Sequence, residues 1–315
     1  MQAREKIHSD TSVYFYLVYR IERTLLELEV LHTGTHNDLV REDMMATKTF
    51  KDLEHDGWLD RATSYEVITP TTNQAIDPIL DSFGDIRGKH LLEVAHGPGH
   101  LSGRAARLGA KINAIDFAIT MVNRARAQYP DVRFQEGDAE NLSFIDNQFD
   151  GVICAFGLLH LAYPDLAITE AFRVLKPGGR YTYTVWCRPE QGGDFFGFLM
   201  NAIQKHGDMD VNLPLAPPFF RFADRDQAFL TLKHAGFLDL QLKKIPIVWR
   251  GEQPTDVVDV IYKATVRTRL IVDAQSERAR GKIHAALISG IENFRVDDHY
   301  EIAFPAALVT ATKPI

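Results

Sequence analysis

Residues 89–186 alternate short strand-like runs with amphipathic segments of helical length. The strand-like runs are KHLLEVA (89–95), KINAIDF (111–117), VRFQEGD (132–138), FDGVICAF (149–156) and RYTYTVW (180–186). Strands that alternate with helices of about 10–15 residues predict right-handed β-α-β units and a mostly parallel sheet. Most of the runs are apolar almost throughout, which is typical of a sheet covered on both faces. The sequence therefore predicts a doubly wound α/β fold.

The flanking segments are predicted to complete this sheet and to cover it. Two helices precede it, one beginning at Trp58 (WLDRATSYEVIT) and one over 73–83. After it we expect a helix over 224–237, a strand over 238–250, two helices within 255–292 and a strand over 306–312. The two later strands bring the predicted sheet to seven. The stretches at about 187–222 and 255–298 are predicted to be insertions that form a helical cap over a substrate.

Residues 1–44 differ from the rest of the chain. IERTLLELEVL (21–31) has the apolar spacing of an amphipathic helix, and MATKTF, from Met45, resembles the beginning of a separate segment. We predict that 1–44 is a helical extension, dispensable for folding, and that 45–315 is the main domain. Two roles stay open for the extension, namely covering the site and mediating a homodimer.

Charge and cysteine content exclude several classes of function. A formal net charge of −7 disfavours a nucleic-acid partner, because phosphate-binding surfaces need clustered Lys and Arg. No stretch of about 18 apolar residues is present, so we expect no membrane span. Cys154 and Cys187 lack metal-binding spacing, and neither a structural zinc site nor a disulfide framework is expected. These features favour a cytoplasmic protein without a metal.

Three polar features follow successive predicted strands. They are the Gly97-Pro98-Gly99 turn, Asp116 and Asp138. Glycines let the backbone approach a ligand closely, and an acid after the second strand accepts hydrogen bonds from a ribose diol. Asp116 alone fits a helix N-cap and Asp138 alone a turn residue, but their joint order favours a nucleoside cofactor. A dinucleotide fingerprint needs a third glycine or alanine, and Ser102 occupies that position.

The ordered motifs resemble those of class I S-adenosylmethionine-dependent methyltransferases. The motifs are LLEVAHGPGHLS, AIDFAITMVNRAR, VRFQEGDAENLSF, FDGVICAFGLLHL and RVLKPGGRYTYTVW. Within that class they resemble the small-molecule branch that includes the ubiquinone/menaquinone-biosynthesis C-methyltransferases. The resemblance is good over about 58–186 and looser over 224–250 and 300–315. It implies a Rossmann-like methyltransferase fold with S-adenosyl-L-methionine as the cofactor.

The resemblance also implies which residues bind the cofactor. They are Tyr65, Glu93, Ala95, His96, Gly97, Gly99, Asp116, Phe117, Met121, Asp138, Ala139 and Phe156. By the resemblance, Asp116 holds the ribose hydroxyls, Phe117 and Met121 pack on the adenine, and Asp138 accepts from its exocyclic amine, with the Ala139 amide at a ring nitrogen. Tyr65 closes over the cofactor.

The methionine end of the cofactor is assigned in the same way. Glu93 and the backbone at 95–97 line it, and Phe156 lies near the sulfonium. Ala95 stands where the commonest family loop has glycine, and its methyl demands little more room unless φ there is positive.

Substrate chemistry is suggested by one histidine and by the aromatic insertions. His160 is a candidate general base, and the alternative is a structural histidine at a helix start. Aromatic residues of the insertions suit an apolar acceptor, although they also suit a cap core; they are Phe195, Phe196, Phe198, Phe219, Phe220, Trp249 and Tyr262. We predict methyl transfer to an oxygen or carbon of a small apolar or aromatic molecule. The alternatives are a dinucleotide-dependent oxidoreductase and a cofactor-binding relative that does not methylate.

Overall fold

Two sheets organise residues 48–315, the part of the chain that this computed structural model describes. Their strands are β1 (His90–Val94), β2 (Lys111–Asp116), β3 (Arg133–Glu136), β4 (Phe149–Ala155), β5 (Leu175–Trp186), β6 (Leu238–Ile245), β7 (Val248–Gly251), β8 (Arg295–Val296), β9 (His299–Ala303) and β10 (Ala306–Thr312). Seven of them form one sheet in the order β3-β2-β1-β4-β5-β10-β6, and β7-β9-β8 form a small antiparallel sheet. The predicted extension, 1–44, lies outside the described residues, so its dispensability stays a prediction.

Parallel pairing dominates the larger sheet. Strands β1 to β5 pair in parallel, and β10 runs antiparallel between β5 and β6. The predicted doubly wound sheet of seven mostly parallel strands is confirmed. The chain moves outward from β1 through β2 to β3 and then returns to β4 on the other side of β1. A crevice is expected at the carboxyl ends of β1 and β4, where the strand order reverses.

Helices cover both faces of this sheet. They are α1 (Phe50–Arg61), α2 (Thr69–Thr72), α3 (Ile76–Asp81), α4 (His100–Arg107), α5 (Ile119–Gln128), α6 (Pro164–Val174), α7 (Asp194–His206), α8 (Arg225–His234), α9 (Asp256–Ala264), α10 (Arg267–Asp273) and α11 (Glu277–Gly290). Successive residues of β1 enter different cores: Leu91 packs in one apolar cluster and Leu92 in the other. That alternation explains why the central strands are apolar on both sides.

Helix α1 begins eight residues earlier than the helix predicted from Trp58, which corrects that prediction. Thr49 and Asp52 form a capping box: Thr49 Oγ1 accepts from the Asp52 amide at 3.2 Å, and Asp52 Oδ2 accepts from the Thr49 amide at 2.9 Å. Short 3₁₀ and α-helical turns continue the chain after Arg61. One face of α1 lies against the sheet's carboxyl edge, where Lys51 pairs with Asp138 and Glu140.

The cap differs in detail from the prediction. The strand expected over 238–250 is two strands, because the chain leaves the large sheet at Pro246 and β7 joins the small one. The two helices expected within 255–292 are three, and strand β9 was not predicted. In the cap core, Phe195 stacks on Phe304 with ring centroids 4.5 Å apart, and Phe304 stacks on Trp186 at 3.8 Å. The insertions are thereby fixed to the end of β5.

Candidate active site

The loop after β1 lies at the sheet's reversal point and has left-handed backbone at three positions. Ala95 has φ 55°, Gly97 φ 53° and Gly99 φ 82°. Glycine is therefore the residue favoured at 95, and alanine is strained there by about 1 kcal/mol. The Ala95 methyl also lies where a side chain at Gly157 would have to go, 2.7 Å from that site. Glycine at position 157 thus leaves room for the methyl group that Ala95 has where the commonest family loop has glycine.

The two glycines of the turn serve different purposes. Gly97 lines a cavity and has no heavy atom within 4 Å of the position a β-carbon would take. A β-carbon at Gly99 would meet the Phe134 ring at 2.7 Å and the Ala125 methyl at 2.8 Å. Only Gly97 offers its backbone to the cavity, and Gly99 lets α4 pack on β3 and α5. Gly99 does not line the cavity, and its close approach to a ligand stays a prediction.

Asp116 holds this loop and also faces the cavity. Its Oδ2 accepts from the Gly97 amide at 2.8 Å and its Oδ1 accepts from the Ala118 amide at 2.9 Å. Burial raises the pKa of this carboxyl, and the nearby His96 and the two amide hydrogen bonds oppose that rise. Asp116 therefore supports the start of α5 and still lines the cavity.

Asp138 is tied to α1 as well as facing the cavity. Lys51 Nζ lies 2.6 Å from Asp138 Oδ2 and 2.6 Å from Glu140 Oε2. Asp138 Oδ1 accepts from the Glu140 amide at 2.9 Å. This ion-pair group joins α1 to the loop after β3. Lys51 and Glu140 were not among the predicted site residues.

Glu93 and His96 lie beneath the loop rather than on the cavity wall. Glu93 accepts a hydrogen bond from Ser102 Oγ, and its side chain is buried. His96 Nδ1 lies 2.6 Å from the Gly97 carbonyl oxygen, and its ring packs on Phe134 at 4.7 Å. Burial raises the pKa of Glu93 to about 8 and lowers the pKa of His96. Both side chains support the loop from below, and neither is placed to touch a ligand in the cavity.

Replacing Glu93 by Gln is expected to stabilise the protein increasingly as pH rises from 5 to 8. The pKa of Glu93 rises from 4.5 to about 8 on folding, so the folded state binds the extra proton and loses stability as pH rises through that window. Glutamine keeps an acceptor for Ser102 and removes this loss, giving a difference on the order of 3 kcal/mol in unfolding free energy by pH 8. Urea unfolding at several pH values measures it. Glu190→Gln, at an exposed position, is the control, and a pH-independent difference for Glu93→Gln would contradict the assignment.

A cavity that is partly open to solvent lies at the carboxyl edge between β1 and β4; we call it the cofactor cavity. Ten predicted site residues line it: Tyr65, Ala95, Gly97, Asp116, Phe117, Met121, Asp138, Ala139, Phe156 and His160. The cavity is also lined by residues that were not among the predicted site residues, including Lys51, Trp58, Ile68, Thr72, Glu140, Leu161, Trp186 and Ala264. Most of these come from α1, from the turns after it and from the cap, which are remote in sequence from the glycine loop.

A buried carboxylate holds His160. Glu54 Oε2 lies 2.9 Å from His160 Nδ1 and accepts from Trp58 Nε1 at 3.0 Å. The Glu54 side chain is 3% exposed and that of His160 25%. Because a carboxylate only accepts, Nδ1 carries a proton in this pair and Nε2 of the neutral ring is left as an acceptor. The Glu54–His160 pair therefore has the geometry of a histidine base that is oriented by a carboxylate.

A second cavity, also partly open to solvent, adjoins the first; we call it the acceptor cavity. His160, Trp186 and Ala264 line both. Its remaining walls are mainly apolar and include Phe50, Phe196, Met209, Phe219, Phe220 and Ile271. Of the aromatic residues predicted for a substrate lining, Phe196, Phe219 and Phe220 lie on this wall.

The remaining insertion aromatics pack elsewhere. Phe195 and Trp249 are buried in the cap core, Phe198 packs on Phe294, and the Tyr262 hydroxyl bonds His284. The two roles that were considered for these aromatic residues thus apply to different ones. Some form the core of the cap, and others line the acceptor cavity.

Residues 48–315 contain no cluster of three or more His, Cys, Asp or Glu side chains arranged to hold a metal ion. In the same part of the chain, no helix is long and apolar enough to cross a membrane. Cys154 and Cys187 are buried free thiols.

Comparisons with known proteins agree with this geometry. A family model described as a methyltransferase domain matches residues 92–183. A demethylmenaquinone methyltransferase of Renibacterium salmoninarum is 30% identical over 175 residues, which are 53% of this chain and 74% of the relative. The ubiquinone/menaquinone biosynthesis C-methyltransferase UbiE of Idiomarina loihiensis is 32% identical over 181 residues, 51% of this chain and 71% of the relative.

Solved structures support the same fold. The YcgJ protein of Bacillus subtilis has a TM-score of 0.52 and 17% identity, with 77% of this chain and 99% of that chain covered. Haemonchus contortus phosphoethanolamine N-methyltransferase 2, in complex with S-adenosyl-L-methionine, has a TM-score of 0.51 and 20% identity, with 86% and 61% covered. The curated relatives are methyltransferases, which favours methyl transfer over the dinucleotide-dependent alternative.

Proposed function

The chain belongs to the class I S-adenosylmethionine-dependent methyltransferases, and we propose that it methylates an oxygen or carbon atom of a small apolar or aromatic molecule held in the acceptor cavity. The observation that carries this proposal is the junction of the two cavities at His160, Trp186 and Ala264. One cavity has the polar groups that suit a nucleoside, and the other is lined mainly by apolar side chains. A methyl group passing from one to the other would cross beside a histidine held by a buried carboxylate.

The residues that line the cofactor cavity suit S-adenosyl-L-methionine in their polar and apolar groups. Asp116 has a carboxylate for the ribose diol, and Gly97 leaves open space where a side chain would stand. Phe117 and Met121 provide apolar surface for the adenine, and the loop from Asp138 to Ala139 supplies its polar edge. When bound, S-adenosyl-L-methionine supplies a methyl group on a sulfonium centre, which an acceptor atom displaces in line.

We assign the base role to His160 and a positioning role to Glu54. Nε2 of His160 would take the proton from an acceptor hydroxyl or acidic carbon, and the charge that develops on the ring would be balanced by Glu54. Trp58, whose ring lies edge-on to His160 at 4.8 Å, excludes water from one side of the pair. Proton removal at the acceptor suits transfer to oxygen or carbon.

An assay with labelled cofactor tests the proposed transfer. Two of the relatives are named for demethylmenaquinone and for ubiquinone and menaquinone biosynthesis, so reduced demethylmenaquinone is the probe for carbon, and 1-naphthol is the probe for oxygen. We expect labelled methyl to appear in at least one of them. Binding of S-adenosylhomocysteine without transfer to either probe, or to 1-hydroxy-2-naphthoate as the anionic counterpart of 1-naphthol, would contradict an apolar aromatic acceptor and would favour a relative that does not methylate.

Phe220→Ala is expected to raise the KM for the probe acceptor about tenfold, because a phenyl face worth about 1.5–3 kcal/mol of apolar contact is lost. Affinity for S-adenosylhomocysteine should stay unchanged, since Phe220 lines only the acceptor cavity of the two. Phe172→Ala removes a half-buried phenyl that packs on Phe237 and serves as the control. Steady-state kinetics measures the effect. An equal KM in wild type and Phe220→Ala would contradict the proposal that the methyl acceptor binds in the acceptor cavity.

A further inference from the structure

Arg267 places a cation on the wall of the acceptor cavity. It is the first residue of α10, and it is half-buried among apolar side chains that include Phe50 and Ile271. Its guanidinium carbon lies 5.9 Å from the centre of the Phe50 ring. An arginine in such surroundings normally has a carboxylate partner, because burying an unpaired charge is costly.

No carboxylate of residues 48–315 lies within ion-pair distance of this guanidinium. Nη1 of Arg267 donates to the Pro214 carbonyl oxygen at 3.0 Å. Glu54, on the same cavity wall, influences Arg267 through space, but its Oε2 is engaged by His160 and Trp58. Burial lowers the pKa of Arg267, and Glu54 offsets this only in part. Most of the donors of the guanidinium are left for something else in the cavity.

Other arginines show that this arrangement is unusual in the protein. Arg173 and Arg221 each hold a carboxylate, with nitrogen–oxygen distances of 2.7 Å and 2.6 Å. Arg61 is buried without an ion pair, but it donates to the carbonyl oxygens of Gly57 and Thr265 and does not line the acceptor cavity. Arg267 combines a cavity position with unused donors.

We propose that Arg267 binds an anionic group of the methyl acceptor, so that the acceptor is an apolar aromatic carboxylic acid. This inference rests on the proposed function, since it assigns the acceptor cavity to the substrate. A planar guanidinium fits a carboxylate through two parallel hydrogen bonds. The apolar wall would hold the ring of the acid, and His160 would face the atom to be methylated. The contact between Arg267 and the carboxylate would then fix the orientation of the acceptor in the acceptor cavity.

Calorimetry with a matched pair of probes tests this. The acid 2-naphthoate and the neutral 2-naphthamide have the same ring and nearly the same shape, and each is titrated into protein saturated with S-adenosylhomocysteine. We expect wild type to bind the acid about tenfold more tightly than the amide, the size of one charge-assisted hydrogen bond. Arg267→Gln should lose this preference, so that the ratio of the two dissociation constants falls to about one. Arg278→Gln, at an exposed position of α11, is the control and should keep it.

Three results would overturn the proposal: equal affinity of wild type for the two probes, an undiminished preference in Arg267→Gln, and binding of neither probe. If Arg267→Gln does not fold, Arg267→Lys is measured instead, because lysine keeps the positive charge without the two parallel donors of the guanidinium. This variant should retain a reduced preference for the acid. Loss of all preference in Arg267→Lys would also contradict a charge-based contact. Binding of S-adenosylhomocysteine is read first in each protein. If wild type does not bind S-adenosylhomocysteine, the proposed function is contradicted. If wild type binds it but shows no preference for the acid, only the role of Arg267 is contradicted.

Discussion

Glu54→Gln is expected to slow methyl transfer about 10²–10³-fold, the size typical of losing a positioned general base, without changing affinity for S-adenosylhomocysteine. Glu54 does not line the cofactor cavity; it acts through His160, whose Nδ1 lies 2.9 Å from its carboxylate. A glutamine oxygen at the position of Oε2 can still accept from both Trp58 Nε1 and His160 Nδ1, so the substitution removes the negative charge and keeps the hydrogen bonds. The charge that develops on the ring when Nε2 takes a proton would then have no buried carboxylate to balance it, which makes His160 a weaker base.

His160→Gln should reduce turnover by a similar factor, and the double variant should fall no further than His160→Gln alone. Such non-additivity is expected when two residues act as one unit. The decisive readout is rescue: added imidazole should restore part of the turnover of His160→Gly, because the His160 position opens on both cavities. Glu170→Gln, which breaks a carboxylate–arginine pair far from the cavities on α6, is the control for stability loss. Near-normal turnover in His160→Gln, or additive losses in the double variant, would remove the pair from the mechanism.

Asp116→Asn is expected to weaken binding of S-adenosylhomocysteine about 100-fold, because hydrogen bonds that involve a charged partner contribute about 1.5–3 kcal/mol each. Asparagine has one acceptor oxygen where aspartate has two. It cannot hold both the Gly97 and Ala118 amides and also receive two ribose hydroxyls. Part of the loss therefore comes from the ribose contact and part from a loosened loop. Calorimetry gives the dissociation constant.

Asp150→Asn separates these two contributions. Asp150 also holds a backbone amide, that of His90 at 2.7 Å, and pairs with Lys176, but it does so at the amino end of β4, away from the cavities. Its substitution should lower thermal stability with little change in cofactor affinity. If Asp116→Asn binds S-adenosylhomocysteine as tightly as wild type, the ribose assignment is wrong.

The sheet was predictable from the sequence because its pattern is local. Strands β1 to β4 each correspond to a short strand-like run, and α4 and α5 follow β1 and β2 where amphipathic segments were predicted. The polar residues that follow these strands converge for the same reason, since parallel strands end at one edge. That is why Asp116, Asp138 and Phe156, which are far apart in sequence, all reach the cofactor cavity.

The parts that escaped prediction depend on contacts between distant elements. Glu54 carries no local signal of function, and only the packing of α1 over the sheet brings it to His160, 106 positions away. The Thr49–Asp52 capping box did signal the true start of α1, and Glu54 and Trp58 then share one face of it. Glu93 and His96 were placed in the cofactor set by their position in the loop, yet the side-chain directions put both beneath it.

The cap illustrates the same limit. Arg267 and Phe220 lie 47 positions apart and line one cavity because the chain crosses between sheets at Pro246 and returns through α9. Sequence periodicity identified helices in this region but not their breaks. It also could not separate Phe195, which is core, from Phe196 beside it, which lines the acceptor cavity.

A crystal structure of the protein with S-adenosylhomocysteine is the most direct test of the central claim, that methyl transfer occurs where the two cavities meet. We predict the ribose on Asp116, the adenine between Phe117 and Met121, and the sulfur beside Trp186 and His160, facing the acceptor cavity. A sulfur atom directed toward Lys51 and away from His160, or a ligand bound outside the cofactor cavity, would contradict it.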